Sequence, residues 1–207
     1  METRKRRAYA PRVPAQQRRA ELLDAALHLV ATQGQRAVTM EAVAERAGVT
    51  KPVVYGLFAS RTELLTALLR REHEQGLGQL MAILPQRMAA DPGESVAQVL
   101  ADFLRIVLAA PDRWHCIVMP MADMPPEFHD AREHARAVVL RRAEELAGPL
   151  LRALHAPRGL APDIVAHTVI ALFEMAARLV LTDPDAFAPE RFTTAIKAAL
   201  GLVPGGW

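Results

Sequence analysis

The sequence predicts an all-α protein. Of its 207 residues, 51% are hydrophobic but only 5% are aromatic, and the abundance of Ala and Leu favours helices over sheets. Apolar residues recur at spacings of three and four in blocks separated by Gly or Pro, which is the period of amphipathic helices. With 23% charged residues, the chain is too apolar for intrinsic disorder and too charged for a polytopic membrane protein.

Positive charge is concentrated at the N-terminus. Residues 1–65 contain 11 Lys and Arg against 6 Asp and Glu, a net charge of +5, whereas residues 66–207 contain 14 against 17, a net charge of −3. Residues 1–14 include Arg4, Lys5 and Arg12 and are interrupted by prolines, which predicts a flexible basic arm. Such an arm suits a nucleic-acid backbone or groove, and a solubilising tail is the alternative.

Three helical segments after the arm predict a DNA-binding motif. A first helix begins at residue 15 and stops at Gly34, and a short helix over 40–47 is capped by Thr39. After a turn at Gly48, a second short helix follows Thr50 and covers 51–58. Two short helices joined by a Gly-containing turn are typical of the helix-turn-helix, whose second helix enters the DNA major groove.

The stretch from Thr39 to Leu65 resembles the DNA-binding domain of the tetracycline-repressor-like (TetR) family of bacterial regulators. The resemblance is carried by the Ala-Gly-Val turn at 47–49, Tyr-x-x-Phe at 55–58 and Ser-x-x-Glu-Leu-Leu at 60–65, and it covers about residues 15–69. It implies a three-helix DNA-binding domain over 15–60 and a helical ligand-binding and dimerisation domain over 61–207. Leu57 and Arg61 depart from the residues that the family often has there, His and Lys.

The resemblance implies a set of residues that contact DNA. Helix N-termini, hydroxyls and cationic side chains all suit phosphate oxygens, although simple capping is the alternative for both threonines. Lys51 can also donate to guanine, while Pro52 and Val53 offer only apolar contact to a thymine methyl. Arg12 or Arg18 in the minor groove, or DNA shape, is expected to add specificity. The predicted DNA-binding residues are Thr39, Thr50, Lys51, Pro52, Val53, Val54, Tyr55 and Arg61, with packing against the first two helices as the alternative for Val54.

Further helices are predicted over 61–84, 94–109, 112–117, 127–155, 163–182 and 189–201, with Pro or Gly between them. The 163–182 segment is apolar almost all round, and within its narrow polar stripe Glu174 and Arg178 are spaced for an ion pair within the helix or across a dimer. A helix this apolar needs its own core on one face and a second subunit on the other. The predicted homodimer interface comprises Ile164, Ile170, Phe173, Phe192, Ile196 and Ala199.

Methionine and aromatic side chains in the second half of the chain are candidates for a ligand pocket. Methionine adapts to irregular apolar ligands and aromatic rings provide flat surfaces, although core packing explains most of these residues equally well. The predicted pocket residues are Phe103, Trp114, His115, Met119, Met121, Met124, Phe128 and His167.

Catalytic, metal and membrane functions find little support. No Gly-rich phosphate loop, nucleophile elbow or zinc-protease helix is present, and the pair His129 and Glu133 has too few companions for a metal site. We therefore expect no enzyme activity, no metal and no cofactor. The single cysteine, Cys116, and the lack of a signal-peptide core or an uncharged apolar stretch of about 18 residues favour a cytoplasmic protein without membrane contact.

The sequence thus predicts a ligand-responsive regulator of transcription. We expect a homodimeric repressor that binds a near-palindromic double-stranded DNA operator and is released by a small hydrophobic effector. The sequence alone leaves two alternatives open. One is a nonspecific or architectural DNA-binding protein without an effector, and the other is a small-molecule-binding helical protein.

Overall fold

Every element in the described part of the chain is helical, so the all-α prediction is confirmed. The computed structural model describes residues 14–85, 91–119, 126–157 and 159–201. The predicted arm up to residue 13, Met121, Met124 and the side chain of Phe128 lie outside the described part. The helices are α1 (Ala15–Gln33), α2 (Met40–Arg46), α3 (Lys51–Tyr55), α4 (Arg61–Ile83), α5 (Pro92–Ala109), α6 (Pro111–Val118), α7 (Pro126–Ala153), α8 (Pro162–Thr182) and α9 (Pro189–Gly201), with a short 3-10 turn over Gln35–Ala37.

Proline marks the start of the last five helices. Each of them has proline as its first residue, where the missing N–H costs no intrahelical hydrogen bond and the fixed φ suits the helix. The predicted helices begin within two residues of these positions, because the sequence argument placed most of the prolines just outside. The observed helices therefore follow from local signals.

The apolar side chains form two clusters. The head core joins α1, α2 and α3 to the first half of α4, with Leu22, Val43 and Leu64 fully buried. The second core joins α5, α6 and α8, around Leu104, Trp114 and Ala177. Because leucines up to Leu69 belong to the head core, that core crosses the domain boundary expected at residue 60.

Helix α6 touches both cores. Its Cys116 packs into the head core, whereas Trp114 packs into the second core. Burial raises the pKa of the Cys116 thiol to about 12, with smaller contributions from the carboxylates of Glu72 and Asp112, so the thiol is protonated and unreactive at neutral pH. A displacement of α6 therefore acts on both cores at once.

Helix α8 has one covered face and one bare face. It is long and apolar enough to cross a membrane, but core helices of soluble proteins can have the same length and hydropathy. Its residues Ala166, Ala177 and Val180 are buried, whereas Ile164 is 62% exposed and Leu172 is 45% exposed. The bare face is apolar surface that this single chain leaves uncovered.

Several residues predicted at the dimer interface also make contacts within the chain. Phe173 stacks on Phe103 with ring centroids 5.7 Å apart, and Phe192 stacks on Phe187 at 6.4 Å. Ile196 also packs against the second core, because α9 lies along α5. Of the predicted interface residues, Ile164 on α8 and Ala199 on α9 are exposed.

Candidate DNA interface and ligand cavity

The helix-turn-helix is built by local capping and one glycine. Thr39 Oγ1 accepts a hydrogen bond from the Ala42 N–H at 3.0 Å and so caps α2. Gly48, with φ of +65°, makes the turn to α3, a left-handed conformation that a side chain would disfavour. Thr50 stands before α3 without capping it through its side chain, which leaves its hydroxyl available to a phosphate.

The predicted contact residues of α3 divide into an exposed group and a buried one. Lys51, Pro52, Val53 and Tyr55 are exposed, and Lys51 Nζ lies 3.3 Å from Glu41 Oε2 of α2. Val54 is 0% exposed and belongs to the head core. Val54 therefore holds the recognition helix in place and does not reach a base, which corrects its assignment as a DNA contact.

Arg61 acts inside the head. Its Nε donates to the Val38 carbonyl at 2.6 Å and its Nη2 to the Gln35 carbonyl at 2.8 Å. The guanidinium thereby ties the start of α4 to the segment before α2. The phosphate role implied for Arg61 rests on its remaining N–H groups, since two of the five are used within the chain.

Two arginines of the first turns of α1 have partners within the chain. Arg18 Nη1 pairs with Glu21 at 2.6 Å, so a minor-groove contact by Arg18 requires that this exposed pair open. The Arg19 guanidinium lies over the Phe58 ring, 4.7 Å from its centroid, a cation–π contact that joins α1 to the end of the recognition segment. Arg12 lies outside the described residues.

A mostly apolar cavity of about 210 Å³ lies in the second half of the molecule. Its wall takes residues from α4, α5, α6, α7 and α8. An engineered protein cavity of about 150 Å³ is large enough to bind benzene, so this space admits a somewhat larger apolar molecule. The cavity is the candidate ligand site.

The predicted pocket residues are only partly in the cavity wall. Phe103 and Trp114 line it, with their rings edge to face at 5.2 Å. His115 and Met119 lie on or just after α6 and are not part of the wall, and His167 is exposed on α8. Ile170 and Phe173, predicted at the dimer interface, line the cavity instead.

Sequence reasoning missed the wall that α7 contributes. Its lining residues follow one helical face, and the signal was the spacing of three and four that they share. This spacing was not recognised because the first residues of that face are polar and resemble a solvent-exposed helix surface. The α7 residues in the wall are Arg132, Ala135, Arg136, Val139, Ala143, Leu146, Ala147 and Leu150.

The expected ion pair between Glu174 and Arg178 is not formed in the structure. Arg136 of α7 donates through Nη1 to Glu174 Oε1, while Arg178 Nη1 lies 3.4 Å from the Val118 carbonyl at the end of α6. The pairing therefore runs between helices and leaves the Arg178 guanidinium beside a carbonyl dipole.

Known proteins share both the head and the overall fold. Residues 22–68 match the family model described as bacterial regulatory proteins, tetR family. Over these residues the chain has a tetR-type DNA-binding domain. The members of that family are transcriptional regulators, and the match confirms the family resemblance over the DNA-binding head.

Individual relatives match only part of this chain. The transcriptional activator FasR of Mycolicibacterium smegmatis is 45% identical over 60 residues, which are 29% of this chain and 27% of FasR. The regulator BetI of Rhizobium meliloti is 36% identical over 97 residues, 46% of each chain. The matched segments thus span less than half of either relative.

A solved structure extends the likeness to the whole fold. The regulator FadR of Bacillus subtilis, solved in complex with stearoyl-CoA, superposes with a TM-score of 0.67 over 91% of this chain and 99% of FadR. The sequence identity is 13%, so this likeness concerns the fold alone. It confirms an N-terminal helix-turn-helix followed by a C-terminal helical domain.

A buried acid joins the tetR-type head to α6. Glu72 of α4 is 0% exposed and accepts from Arg113 Nε of α6 at 2.8 Å and from Arg71 Nε at 2.6 Å. Arg71 in turn pairs with Asp24 of α1 at 2.8 Å. This network connects three helices through one carboxylate.

We expect Glu72→Ala to lower the free energy of unfolding by about 3–5 kcal/mol, because it leaves two guanidinium groups without their shared buried partner. Urea denaturation monitored by circular dichroism measures the change. Glu74→Ala is the matched control, since Glu74 lies on the same helix in an exposed pair with Arg70 and its loss should have little effect. Equal midpoints for the two variants would show that the network does not stabilise the fold.

His73 makes the fold sensitive to acid. Burial, with a smaller contribution from the positive charge of Arg132, lowers the pKa of His73 to about 4. The unfolded chain therefore takes up a proton below pH 6.5 that the folded chain does not accept until about pH 4, and stability falls across that window as the pH is lowered.

We expect wild type to lose up to about 3 kcal/mol more stability than His73→Gln between pH 7 and pH 4. Urea titrations at a series of pH values measure the difference. His134→Gln serves as the control because His134 is exposed on α7 and should leave the pH dependence unchanged. The same slope for wild type and His73→Gln would contradict the buried neutral histidine.

Proposed function

We propose that this protein is a cytoplasmic, homodimeric repressor that binds a near-palindromic operator through α3 and is released by a small hydrophobic effector in the cavity. The observation that carries the proposal is the position of α6. Cys116 of α6 packs in the head core and Trp114 of α6 lines the cavity, so one short helix contacts both the cavity and the DNA-binding head.

The proposed organisation has three parts. Residues 1–14 are the basic arm, residues 15–60 the DNA-binding domain and residues 61–207 the ligand-binding and dimerisation domain. Exposed Lys51, Val53 and Tyr55 on α3 support contact of this helix with the major groove. Thr39 and Thr50 add hydroxyls at the starts of α2 and α3 for neighbouring phosphates.

The bare face of α8 supports a homodimer. Ile164, Leu172 and Met175 are exposed at helical spacings that place them on one stripe, and an apolar patch of this kind marks an interaction site. On α9, the small residues Ala195 and Ala199 are also exposed and suit close helix packing. A second copy covers α8 by the same surface on both subunits, as twofold symmetry requires.

Close packing of α4 and α6 supports the release mechanism. A Cβ added at Gly76 of α4 would overlap Ile117 Cδ1 of α6, so the two helices touch where the cavity wall passes between them. An effector shifts the equilibrium only through its different affinities for the two states. Ligand that displaces Ile117 therefore moves α4 and, with it, the spacing of the two heads. An apolar effector suits this cavity, and stearoyl-CoA is what the FadR neighbour binds.

Selection of bound duplexes from a random DNA pool tests the proposal. We expect an inverted repeat that binds the full chain at least about 1000-fold more tightly than a scrambled duplex at equal salt. In-vitro transcription from a promoter carrying the selected repeat should then be reduced by the protein. Equal and steeply salt-dependent binding to both duplexes would favour the architectural alternative, and stimulated transcription would overturn the repressor assignment.

A further inference from the structure

The cavity wall combines a long apolar surface with a cluster of charges at one end. The apolar part includes Leu80, Val99, Val139 and Phe173, which suit a hydrocarbon chain. By the ratio of benzene's six carbons to a cavity of about 150 Å³, the 210 Å³ here holds about eight carbon atoms. The charges decide what kind of molecule these carbons belong to.

Positive charge exceeds negative charge in this wall. Among its described residues, Arg132, Arg136 and Arg178 face a single carboxylate, Glu174, which is bonded to Arg136. His73 adds no charge at neutral pH, since its pKa lies near 4. Two guanidinium groups, those of Arg132 and Arg178, are thus left without a carboxylate among the described residues of the wall.

The helix geometry brings these two arginines to the same end of the cavity. A connection of only eight residues, 154–161, joins α7 to α8, and the two helices pack along each other, which makes them antiparallel neighbours. Arg136 contacts Glu174 across this pair. Arg132 precedes Arg136 by one turn of α7, and Arg178 follows Glu174 by one turn of α8. Because the two helices are antiparallel, both arginines lie on the same side of the Arg136–Glu174 pair.

Uncompensated cations beside an apolar cavity favour an anionic ligand. Arg132 is exposed and Arg178 is half-buried, so both guanidinium groups are accessible to a ligand, and a guanidinium pairs best with a planar carboxylate or a phosphate. A neutral ligand of equal size would bury the same apolar surface without that pairing. A cationic ligand would be repelled.

We propose that the cavity binds an amphipathic anion, with an apolar chain of about eight carbons in the cavity and an anionic head group at Arg132 and Arg178. This inference rests on the proposed function, since it names the chemical class of the effector. The head group is a free carboxylate, because in a thioester this carboxylate is neutralised and the phosphates of the carrier lie too far from the acyl chain to meet the same arginines.

Direct binding of octanoate, 1-octanol and octylammonium to the full chain, measured by isothermal titration calorimetry, tests the charge preference at constant chain length. We expect octanoate to bind at least 10-fold more tightly than octanol, because one charge-assisted hydrogen bond contributes about that factor. Octylammonium should bind most weakly. Octanol binding as tightly as octanoate, or no binding by any of the three, would overturn the proposal.

Variants identify the groups responsible. Arg132→Gln and Arg178→Gln should each weaken octanoate at least 10-fold and leave octanol unchanged, whereas Arg141→Gln, an exposed α7 position outside the wall, should change neither. Octanoate affinity that is the same in all three variants would contradict the arginine assignment. Octanoyl-coenzyme A is the further probe: weaker binding than octanoate would support the free carboxylate, and tighter binding would overturn it.

The two proposals fail separately. A chain that binds its selected operator but shows no preference for octanoate remains a regulator with a different effector class. A chain that binds octanoate with the expected arginine dependence but binds no operator keeps this ligand site and loses the proposed function.

Discussion

The double variant Lys51→Ala, Tyr55→Ala is expected to bind the selected operator at least 100-fold more weakly than wild type. Both side chains are exposed on α3, and a dimer loses each contact twice. A hydrogen bond to a charged phosphate contributes about 1.5–3 kcal/mol. The loss of four such contacts therefore exceeds the roughly 3 kcal/mol that a 100-fold weakening requires, even if each lies at the lower end of this range. Fluorescence anisotropy with a labelled duplex, repeated over a range of salt concentrations, measures the change.

The lysine in α9 supplies a matched control for this experiment. Lys197 is half-exposed and pairs with Glu94 at 2.6 Å, away from α3, and Lys197→Ala should leave operator affinity unchanged. The salt dependence of the double variant should also be shallower, by a slope of about 2 if Lys51 meets phosphate in both half-sites. Retention of full operator affinity by the double variant would show that α3 is not the recognition helix.

Leu172→Glu is expected to convert the proposed homodimer to a monomer. Leu172 is 45% exposed in the single chain, and near a twofold axis each copy of the carboxylate would be buried in apolar surroundings close to its symmetry mate. We expect the dimer dissociation constant to rise at least 1000-fold, with operator affinity falling because the two heads then bind independently. Sedimentation equilibrium gives the first quantity and anisotropy the second.

Leu160→Glu separates a surface effect from an interface effect. Leu160 is as exposed as Leu172 but precedes α8, so the same substitution there should leave the dimer intact. Circular dichroism of both variants verifies that the monomer is folded. A dimer that tolerates Leu172→Glu would place the subunit contact on another surface.

The helices and the tetR-type head were readable from the sequence because their determinants are local. Thr39, Gly48 and Ser60 act on residues no more than a few positions away, through a cap or a turn. Proline at the start of α5 through α9 acts through its own backbone. The helix-turn-helix is composed almost wholly of such signals, so the pattern of residues 39–65 was sufficient to predict it.

The sequence could not choose between partners that compete for the same side chain. Glu174 has Arg178 four residues away on its own helix and yet bonds to Arg136 of α7, because the packing of α7 on α8 brings that guanidinium closer to its carboxylate. Val54 was open to contact DNA or the core, and the arrangement of α1, α2 and α4 buries it completely.

The sequence by itself therefore determined the all-α class, the helix limits to within three residues and the tetR-type DNA-binding head. The tertiary structure alone decided which side of each helix is covered, and hence that Phe173 lines a cavity and Ile164 is exposed. The physical reason is the distance along the chain over which each effect acts. Capping and backbone preferences act within one turn of the chain, whereas the face that a helix buries depends on neighbours far away in sequence, such as α7 for α8 and α5 for α9.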